Sequence, residues 1–514
     1  MPFIIPNFFN QIDKISPKKL FWLVVFTSIL LAGWMQYIQH GWINPDTVLY
    51  FEQARLIALG DWTGAIKVFN WPLYGACIAT VHKITSLGIH QSAQVLNMLF
   101  FGMATASFLI IIQSAGGGTR VMLAGVLLLF GGQYIVGDVL EMLMRDEGFW
   151  AFYLTSLVFF IRYMQHTKMQ DALLWQACII IAMLFRIEAI CFLIGLPLCF
   201  ILMRELSWKS RLQHILNTYS VALLVLVTMI AAIVLNDQLT IDNFGRLQEV
   251  FTPHLFQIFT QKLLTQAQVM SDQVLGKYLE EFAVAGLLLT FLYVIVAKII
   301  SATGIFSVVF ACLTLKNGGD NIEPKSYLVI KTVAVIALIS MALIIVKVFV
   351  LSGRYVAGLS WILMVLGAFY FAALLARKER KLAFVTSLVV VALCLGFVKN
   401  ILPKRQGYNY MLDAAAWLKQ QNNSQAPVFY NETRMRYYMN EPFIGVWVDN
   451  QKLVRDAIKN KTIERYMFLA ILQSSKDLEE NKLISKQLNN YWEIKRFNSF
   501  KAKNAIVIYR KKYP

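Results

Sequence analysis

Charged residues are scarce in this chain of 514 residues. Asp, Glu, Lys and Arg together make up 15% of the sequence, whereas hydrophobic residues make up 58%. Soluble globular chains run nearer ~25% charged and ~45–50% apolar residues. This shortage of charge excludes a disordered chain, a collagen-like chain and a coiled coil. It predicts an integral membrane protein.

Cysteine and histidine are too few and too scattered to form recognisable motifs. The six cysteines all lie in or beside apolar segments, and they are Cys77, Cys178, Cys191, Cys199, Cys312 and Cys394. They predict neither a disulfide framework nor a zinc site, and the six histidines lack metal-ligand spacing. No internal repeat is visible, which weighs against transporter folds built from paired halves. The net charge of +18 then indicates cytoplasmic loops and anionic lipid surfaces rather than nucleic acid.

Long apolar runs fill residues 20–400. A spanning helix needs ~20 mostly apolar residues. The runs predict about eleven crossings, near 20–39, 92–113, 119–137, 147–163, 172–186, 189–203, 215–235, 282–313, 326–350, 355–376 and 381–400. Two crossings are separated at Arg186-Ile187-Glu188 because charges at mid-bilayer are costly, and 282–313 is interpreted as one helix bent at Ala302-Thr303-Gly304. The first run lacks a cleavage pattern and is expected to remain as an anchor.

The distribution of Lys and Arg predicts how the chain crosses the membrane. With a cytoplasmic N-terminus, the inside loops hold 15 of these residues and the outside loops before residue 401 hold nine, in keeping with the retention of positive charge on the cytoplasmic side. This count requires helices at 46–60 and 72–90 that lie along the outer interface. We therefore expect a cytoplasmic segment 1–19, a transmembrane domain 20–400 with an outer loop 40–91, and an outer domain 401–514, in the plasma (inner) membrane.

Residues 401–514 have a different composition from the rest of the chain. They contain 20 Lys and Arg against 10 Asp and Glu, without a spanning run. Periodicity predicts helices at 408–421, 451–460 and 476–488, and strands at 428–430, 443–448, 492–497 and 505–509. The sequence thus predicts a small α/β domain, periplasmic or otherwise extracytoplasmic.

Acidic residues at the outer membrane edge are the candidate site residues, because ionisable groups there are costly unless they are solvated or used. Three clusters are expected on that face: Asn44-Pro45-Asp46, Arg145-Asp146-Glu147 and Arg186-Ile187-Glu188. Each has a simpler structural interpretation. In the first cluster Asp46 could be the N-cap of a helix, the second could be a charge pattern at a helix start, and the third an ion pair across a short turn.

The functional interpretation assigns chemistry to Asp46 and Arg354. A carboxylate at the water–lipid boundary can act as general base on an acceptor hydroxyl or amine. Arg354 lies in Ser352-Gly353-Arg354-Tyr355, between two outer helix ends. A guanidinium there can bind a phosphate through two parallel donors, and the alternative is that it only anchors the helix end.

Two motifs in the first outer loop carry a resemblance to a known family. They are Asn44-Pro45-Asp46-Thr47-Val48-Leu49-Tyr50 and Asn70-Trp71-Pro72-Leu73-Tyr74-Gly75. Their position after one crossing resembles the GT-C superfamily, in the branch of protein O-mannosyltransferases and lipid A aminoarabinose transferases. The family's second acidic site then corresponds to Asp146 or Glu147, and its late Arg-Tyr to Arg354-Tyr355. A single acidic residue followed by Thr47 favours the bacterial lipid-linked sugar branch.

This resemblance implies a glycosyltransferase. It would move a sugar from a polyprenyl-phosphate donor to a lipid, glycan or protein acceptor of the cell envelope, with inversion at the anomeric carbon. The resemblance implies no required cofactor and an optional divalent metal. The expected site residues are catalytic Asp46, Asp146 and Glu147, donor-phosphate ligands Arg354, Tyr355 and Arg186, and first-loop acceptor contacts Glu52, Trp71 and Tyr74. Two other functions remain open, a transporter or flippase of lipid-linked sugars and a non-catalytic scaffold for envelope assembly.

Overall fold

A computed structural model describes residues 15–39, 41–236, 245–248, 255–377, 379–403, 409–422, 425–443 and 450–512. The chain divides into two compact units. The first unit comprises Met1–Met35, Val95–Glu141 and Arg145–Ile401. The second unit comprises Gln36–Gln94, Met142–Met144 and Leu402–Pro514.

Helices dominate residues 15–401. In chain order they are α1 Pro17–Tyr37, α2 Pro45–Ala58, α3 Trp62–Val68, α4 Leu73–Thr85, α5 Ile89–Ser114, α6 Thr119–Gly131, α7 Asp146–His166, α8 Met169–Phe185, α9 Ile190–Gly195, α10 Trp208–Leu235, α11 Leu255–Met270, α12 Ala283–Thr303, α13 Ile305–Lys316, α14 Pro324–Val348, α15 Gly353–Ala376 and α16 Arg380–Ile401. π-Helical turns lie at Gln133–Val139 and Ser271–Leu275, and 3₁₀ turns at Ile187–Ala189, Leu196–Leu202 and Glu280–Phe282.

The apolar helices make this an integral membrane protein. Each of the eleven predicted crossings coincides with helical structure. In the described part of the chain, seven helices are long and apolar enough to span a membrane, or up to eight if α6 and the π turn after it form one span. The remaining predicted crossings fall on α7, α8 and the short segment Ile187–Leu202. The polytopic helical class is therefore confirmed, and the count of about eleven stays a prediction.

Two predicted crossings are bent in the structure. The predicted bend in 282–313 is a break between α12 and α13, at Gly304 with φ +87°. Glycine has no Cβ, so it adopts this positive φ without steric penalty. The predicted crossing 119–137 is also bent, by 49° between α6 and the π turn.

Three short helices occupy the first loop of the second unit, where the sequence predicts two. Helix α2 corresponds to the predicted helix 46–60, and α4 ends at Thr85 because Ser86 adopts a left-handed conformation (φ 59°). The unpredicted helix α3 begins after Asp61, whose carboxylate accepts a hydrogen bond from the Gly64 N–H (2.7 Å). Placement of these helices along the membrane interface stays a prediction.

The buried side chain of Gln53 joins the three short helices. Its amide donates hydrogen bonds to the carbonyls of Ala65 (3.1 Å) and Phe69 (2.6 Å). A Cβ on Gly75 would lie 2.7 Å from the Gln53 Oε1 atom. Glycine at this position therefore allows α4 to pack closely against α2.

The C-terminal part of the second unit is an α/β domain, as predicted. Its helices are α17 Asn409–Gln421, α18 Thr433–Tyr438, α19 Asn450–Lys459 and α20 Leu478–Gln487, with 3₁₀ turns at Thr462–Arg465 and Phe500–Ala502. Its strands are β1 Val428–Tyr430, β2 Phe468–Ser474, β3 Tyr491–Asn498 and β4 Asn504–Lys511, in the sheet order β1-β2-β4-β3. Strand β1 pairs parallel to β2, whereas β2–β4 and β3–β4 are antiparallel.

The core of the C-terminal domain lies between its sheet and its helices. Leu469, Ile471, Val507 and Val454 belong to one buried apolar cluster between the sheet and its helices. Strand β2 was not predicted, and neither was the short helix α18. The predicted strand 443–448 lies outside the described residues except for Phe443, which is not in a strand.

Candidate functional site

A fully buried carboxylate, Asp146, lies in the first turn of α7. Arg186 donates a hydrogen bond to its Oδ1 atom. Arg354 donates from Nε to Oδ1 at 3.4 Å and from Nη2 to Oδ2 at 3.1 Å. A buried carboxylate is costly unless it is paired and hydrogen-bonded. Asp146 therefore acts as the shared counter-charge of two arginines.

Arg186 is the more enclosed of the two arginines, with 4% of its side chain exposed. Its Nε and Nη2 atoms donate to the carboxylate of Glu188 at 3.3 and 3.2 Å, which confirms the ion pair expected across this turn. The guanidinium carbon also lies 4.9 Å from the centre of the Tyr355 ring, within cation–π range. Arg186 thus forms one wall of the site. Asp146, Glu188 and Tyr355 hold its side chain in place.

Arg354 is the more accessible arginine, with 27% of its side chain exposed. It lies in the first turn of α15, where its backbone N–H donates to the Ser352 hydroxyl at 3.3 Å. A Cβ on the preceding Gly353 would lie 2.6 Å from the ring of Tyr134. Only glycine lets this ring pack against the start of the helix that carries Arg354.

A small cavity lies among these side chains. Arg186, Glu188, Arg354, Tyr355 and Ser340 contribute to its lining, and its volume is about 20 Å³. This is room for about one water molecule. A phosphate group would therefore bind at the exposed rim of the Arg354 guanidinium rather than inside the cavity.

Glu147 follows Asp146 and is also fully buried. Its carboxyl interacts with the side chain of Asn97 on α5. Both acidic residues lie in the first turn of α7. This agrees with the simpler interpretation of their cluster as a charge pattern at a helix start. Neither presents an exposed oxygen to a ligand in this arrangement, so their catalytic assignment stays a prediction.

Asp46 belongs to the second unit and is half-buried. The N-cap of α2 is Asn44, whose side-chain oxygen accepts a hydrogen bond from the Asp46 N–H at 2.9 Å. The interpretation of Asp46 as the N-cap is therefore wrong, because Pro45 already occupies the first helical position. The hydroxyl of Thr47 donates to the carbonyl of Leu143 at 3.0 Å and fixes this helix start. Asp46 remains a carboxylate beside the positive end of a helix dipole.

The three predicted first-loop contacts have different environments. Glu52 accepts two hydrogen bonds from Arg55, at 2.9 and 2.7 Å, and its side chain is 11% exposed. Trp71 and Tyr74 are buried, with 5% and 1% exposed. The Tyr74 ring packs edge-on against Tyr50, with 5.2 Å between ring centres. Glu52 lines an open cavity, and the acceptor role of all three stays a prediction.

Two residues of the arginine cluster have no assigned role in the sequence analysis, although Glu188 belongs to one of its candidate clusters. Glu188 carried a signal, since it lies two residues from Arg186, but the sequence alone did not give it a role. Tyr134 carried no local signal, because the fold brings its ring to Gly353, next to Arg354.

The carboxylate oxygens of this cluster are not available as ligands of a divalent metal. Both oxygens of Asp146 and both oxygens of Glu188 accept hydrogen bonds from guanidinium groups. A metal ion would have to displace these donors and would add positive charge beside two arginines. In the described residues, no group of three or more His, Cys, Asp and Glu side chains is placed to hold a metal ion.

Comparison with known proteins identifies the fold. No protein-family model and no curated protein matches this sequence. The crystal structure of ArnT from Cupriavidus metallidurans bound to undecaprenyl phosphate is similar, with a TM-score of 0.55, 13% identity, and coverage of 95% of this chain and 97% of that chain. The apo structure of the same protein gives a TM-score of 0.49 at 12% identity, with the same coverage.

ArnT is an aminoarabinose lipid A transferase of the GT-C fold. The likeness spans nearly the whole of both chains, which includes the C-terminal α/β domain. This chain therefore has the ArnT-like GT-C fold, and the fold predicted from the two first-loop motifs is confirmed. Because a shared fold hosts many activities, the function is argued from the site.

Proposed function

We propose that this protein is a glycosyltransferase that takes its sugar from a polyprenyl-phosphate donor and transfers it to a cell-envelope acceptor. The observation that carries the proposal is Arg354, a partly exposed guanidinium held by a fully buried carboxylate. The similar structure of ArnT holds undecaprenyl phosphate, which supports a donor of this class. An exposed and oriented guanidinium is well suited to a phosphate oxygen.

The reaction forms a bond between the acceptor and the anomeric carbon as the bond from that carbon to the donor phosphate breaks. The phosphate leaves with the electron pair, and the negative charge that develops on it meets the positive charge of Arg354. The acceptor loses a proton, which we assign to the Asp46 carboxylate as general base. Asp146 and Arg186 do not touch the substrate in this scheme, and they act as positioning residues for Arg354.

The proposal also places the chemistry on the outer face of the membrane, with a cytoplasmic N-terminus and an outer C-terminal domain. It depends on the excess of Lys and Arg in the predicted inside loops. An alkaline phosphatase fused after Pro514 should be active, and one fused after Arg380 should be inactive. The reverse pattern would contradict this orientation.

Binding of undecaprenyl phosphate, the lipid phosphate part of such a donor, tests the role of Arg354. Purified wild-type protein is incubated with radiolabelled undecaprenyl phosphate, and the bound label is measured against lipid concentration. Arg354→Lys should weaken binding roughly 10-fold and Arg354→Ala more strongly, because a lysine cannot reproduce two parallel donors. Arg162→Lys is the matched control, since Arg162 is exposed on α7 and contacts the Phe159 ring. Equal binding by all four proteins would contradict the proposal.

A further inference from the structure

Two adjoining cavities lie within the second unit, apart from the arginine cluster. The first has a volume of about 380 Å³ and is lined by residues of α2 and of the segment 437–443. The second has a volume of about 650 Å³ and is lined by residues around the end of α1 and the start of α5. Ile89 and Tyr437 line both cavities. Together they reach the size range of small-molecule binding sites.

Aromatic rings form the wall where the cavities meet. The rings of Phe51 and Tyr437 lie 5.6 Å apart, and that of His90 lies 5.4 Å from Phe51. The Tyr437 hydroxyl and the His90 Nδ1 atom are 3.0 Å apart and form a hydrogen bond. Burial raises the pKa of Tyr437 to about 12, so its hydroxyl remains protonated at neutral pH. The three rings are tilted against one another by 38° to 54°, and they present an apolar surface with a polar edge, which suits the C–H face of a sugar ring.

The charges of the first cavity are already paired. Glu52 is bonded to Arg55, and Glu441 accepts from Arg436 at 3.3 Å and from the Tyr430 hydroxyl at 3.1 Å. The charges of these carboxylates and guanidiniums cancel, so the cavity offers hydrogen-bonding groups without a net charge. A phosphate or another anion would gain little there, whereas a polyhydroxylated neutral ligand can use both donors and acceptors.

The second cavity carries neutral polar groups. Its described lining includes the amides of Gln36, Gln91 and Gln94 and the imidazole of His90, and it holds no carboxylate, ammonium or guanidinium. An amide both donates and accepts hydrogen bonds, which matches the two capacities of a hydroxyl group. The second cavity therefore favours the same class of ligand as the first.

Gln36 gives a separate indication of a ligand. Its side chain is 6% exposed in the cavity wall, and neither its amide nitrogen nor its oxygen has a hydrogen-bond partner among the described residues. A buried polar group left without a partner costs ~1–3 kcal/mol. After a change of the Gln36 rotamer, a ligand hydroxyl would supply the missing hydrogen-bond partner.

We propose that these two cavities bind the saccharide part of the acceptor, a neutral oligosaccharide that packs a ring face on Tyr437, next to the buried Phe51. This inference rests on the proposed function, because it names the acceptor class of that reaction. The cavities bind this saccharide in the absence of donor. Their occupant is polyhydroxylated and uncharged, and it is not a phosphorylated headgroup.

Saccharide binding can be measured on the full chain in nanodiscs, without glycosidic detergent that would compete. The neutral probes are chitotetraose, cellotetraose and maltotetraose, and tetragalacturonate is the acidic comparison. Binding of each probe is measured by saturation-transfer NMR. At least one neutral probe should bind with a Kd on the order of 1 mM, and more tightly than the acidic one. No binding by any neutral probe, or tighter binding of tetragalacturonate, would overturn the inference.

Two variants locate the binding. Asn440→Gly removes an amide from the first cavity while keeping the left-handed backbone at this position (φ 60°). Glu52→Gln removes the carboxylate that pairs with Arg55. Each should weaken binding of the neutral probe roughly 10-fold. The matched control is Glu493→Gln, which breaks an equivalent Glu–Arg pair with Arg496 in the C-terminal domain and should leave binding unchanged. If the control weakens binding as much as the two variants, the inference is wrong.

The same preparation separates this inference from the proposed function. Loss of saccharide binding with intact binding of undecaprenyl phosphate would contradict only the acceptor site. Saccharide binding together with donor binding that Arg354→Ala leaves unchanged would contradict only the proposed donor chemistry.

Discussion

Asp46 and Asp146 both lie in the first turn of a helix, yet their surroundings differ. Asp146 is fully buried and accepts hydrogen bonds from Arg186 and Arg354. Asp46 is half-buried, and the cap of its helix is supplied by Asn44 rather than by its own carboxylate. A carboxylate held by two guanidiniums is a poor base, because protonation would break both ion pairs. Position at a helix start therefore does not by itself make a carboxylate a base, and Asp146 is better described as the counter-charge of two arginines.

The largest expected effect follows from removing the shared counter-charge. Asp146→Asn leaves Arg186 and Arg354 without the carboxylate that both contact. Breaking a buried ion pair by removing one partner costs ~3–5 kcal/mol, and we expect a lower unfolding temperature of the protein in nanodiscs, together with loss of donor binding. If the variant unfolds at the wild-type temperature and binds donor normally, the assigned positioning role is wrong.

The effect of replacing Asp46 should fall on turnover rather than on stability. General-base catalysis contributes ~10²–10⁴-fold, so Asp46→Asn should lower the transfer rate by that factor with an unchanged unfolding temperature. The measurement is single-turnover transfer from a labelled polyprenyl-phosphate sugar. Asn44→Ala is the control, since loss of the cap should cost ~1 kcal/mol of stability while largely sparing turnover. Near-normal transfer by a folded Asp46→Asn protein would contradict the assignment of Asp46 as the general base.

The smallest expected effect concerns metal removal. Because the carboxylates of Asp146 and Glu188 are already bonded to arginines, we expect chelation to leave transfer unchanged. The check is the transfer rate before and after dialysis against EDTA, with the metal content measured by mass spectrometry. A rate that falls on chelation and returns with one added divalent ion would show that a metal acts elsewhere in the reaction.

The sequence predicted those parts of the fold whose signals are local. The helix at 408–421 was found because its apolar residues repeat with helical spacing, and the structure has α17 at Asn409–Gln421. Strand β2 was missed because it is central in the sheet and nearly all of its residues are buried. Such a strand is a continuous apolar run without alternation, which periodicity does not separate from a helix.

The sequence named Asp146, Arg186 and Arg354 as candidates, but it did not predict the contacts between them. Clusters of charge revealed Asp146 and Arg186, and the pair of Arg186 with Glu188 was foreseeable from a spacing of two residues. The bonds from Asp146 to Arg186 and Arg354 cross 40 and 208 residues of sequence. Local patterns do not encode such contacts, so the sequence could not show that Asp146 is already paired.

The sharing of Asp146 by two arginines has a consequence for how the chain is assembled during its synthesis. Domains fold from the N-terminus as the ribosome releases the chain, so Asp146 and Arg186 meet before α15 has been made. Arg354 then reaches its place, and a guanidinium left unpaired in this partly buried site would be costly. The earlier helices provide the carboxylate that pairs with it. Packing of α15 in its final place therefore depends on the prior assembly of α7, and chains that lack α7 should leave the Arg354 side chain exposed.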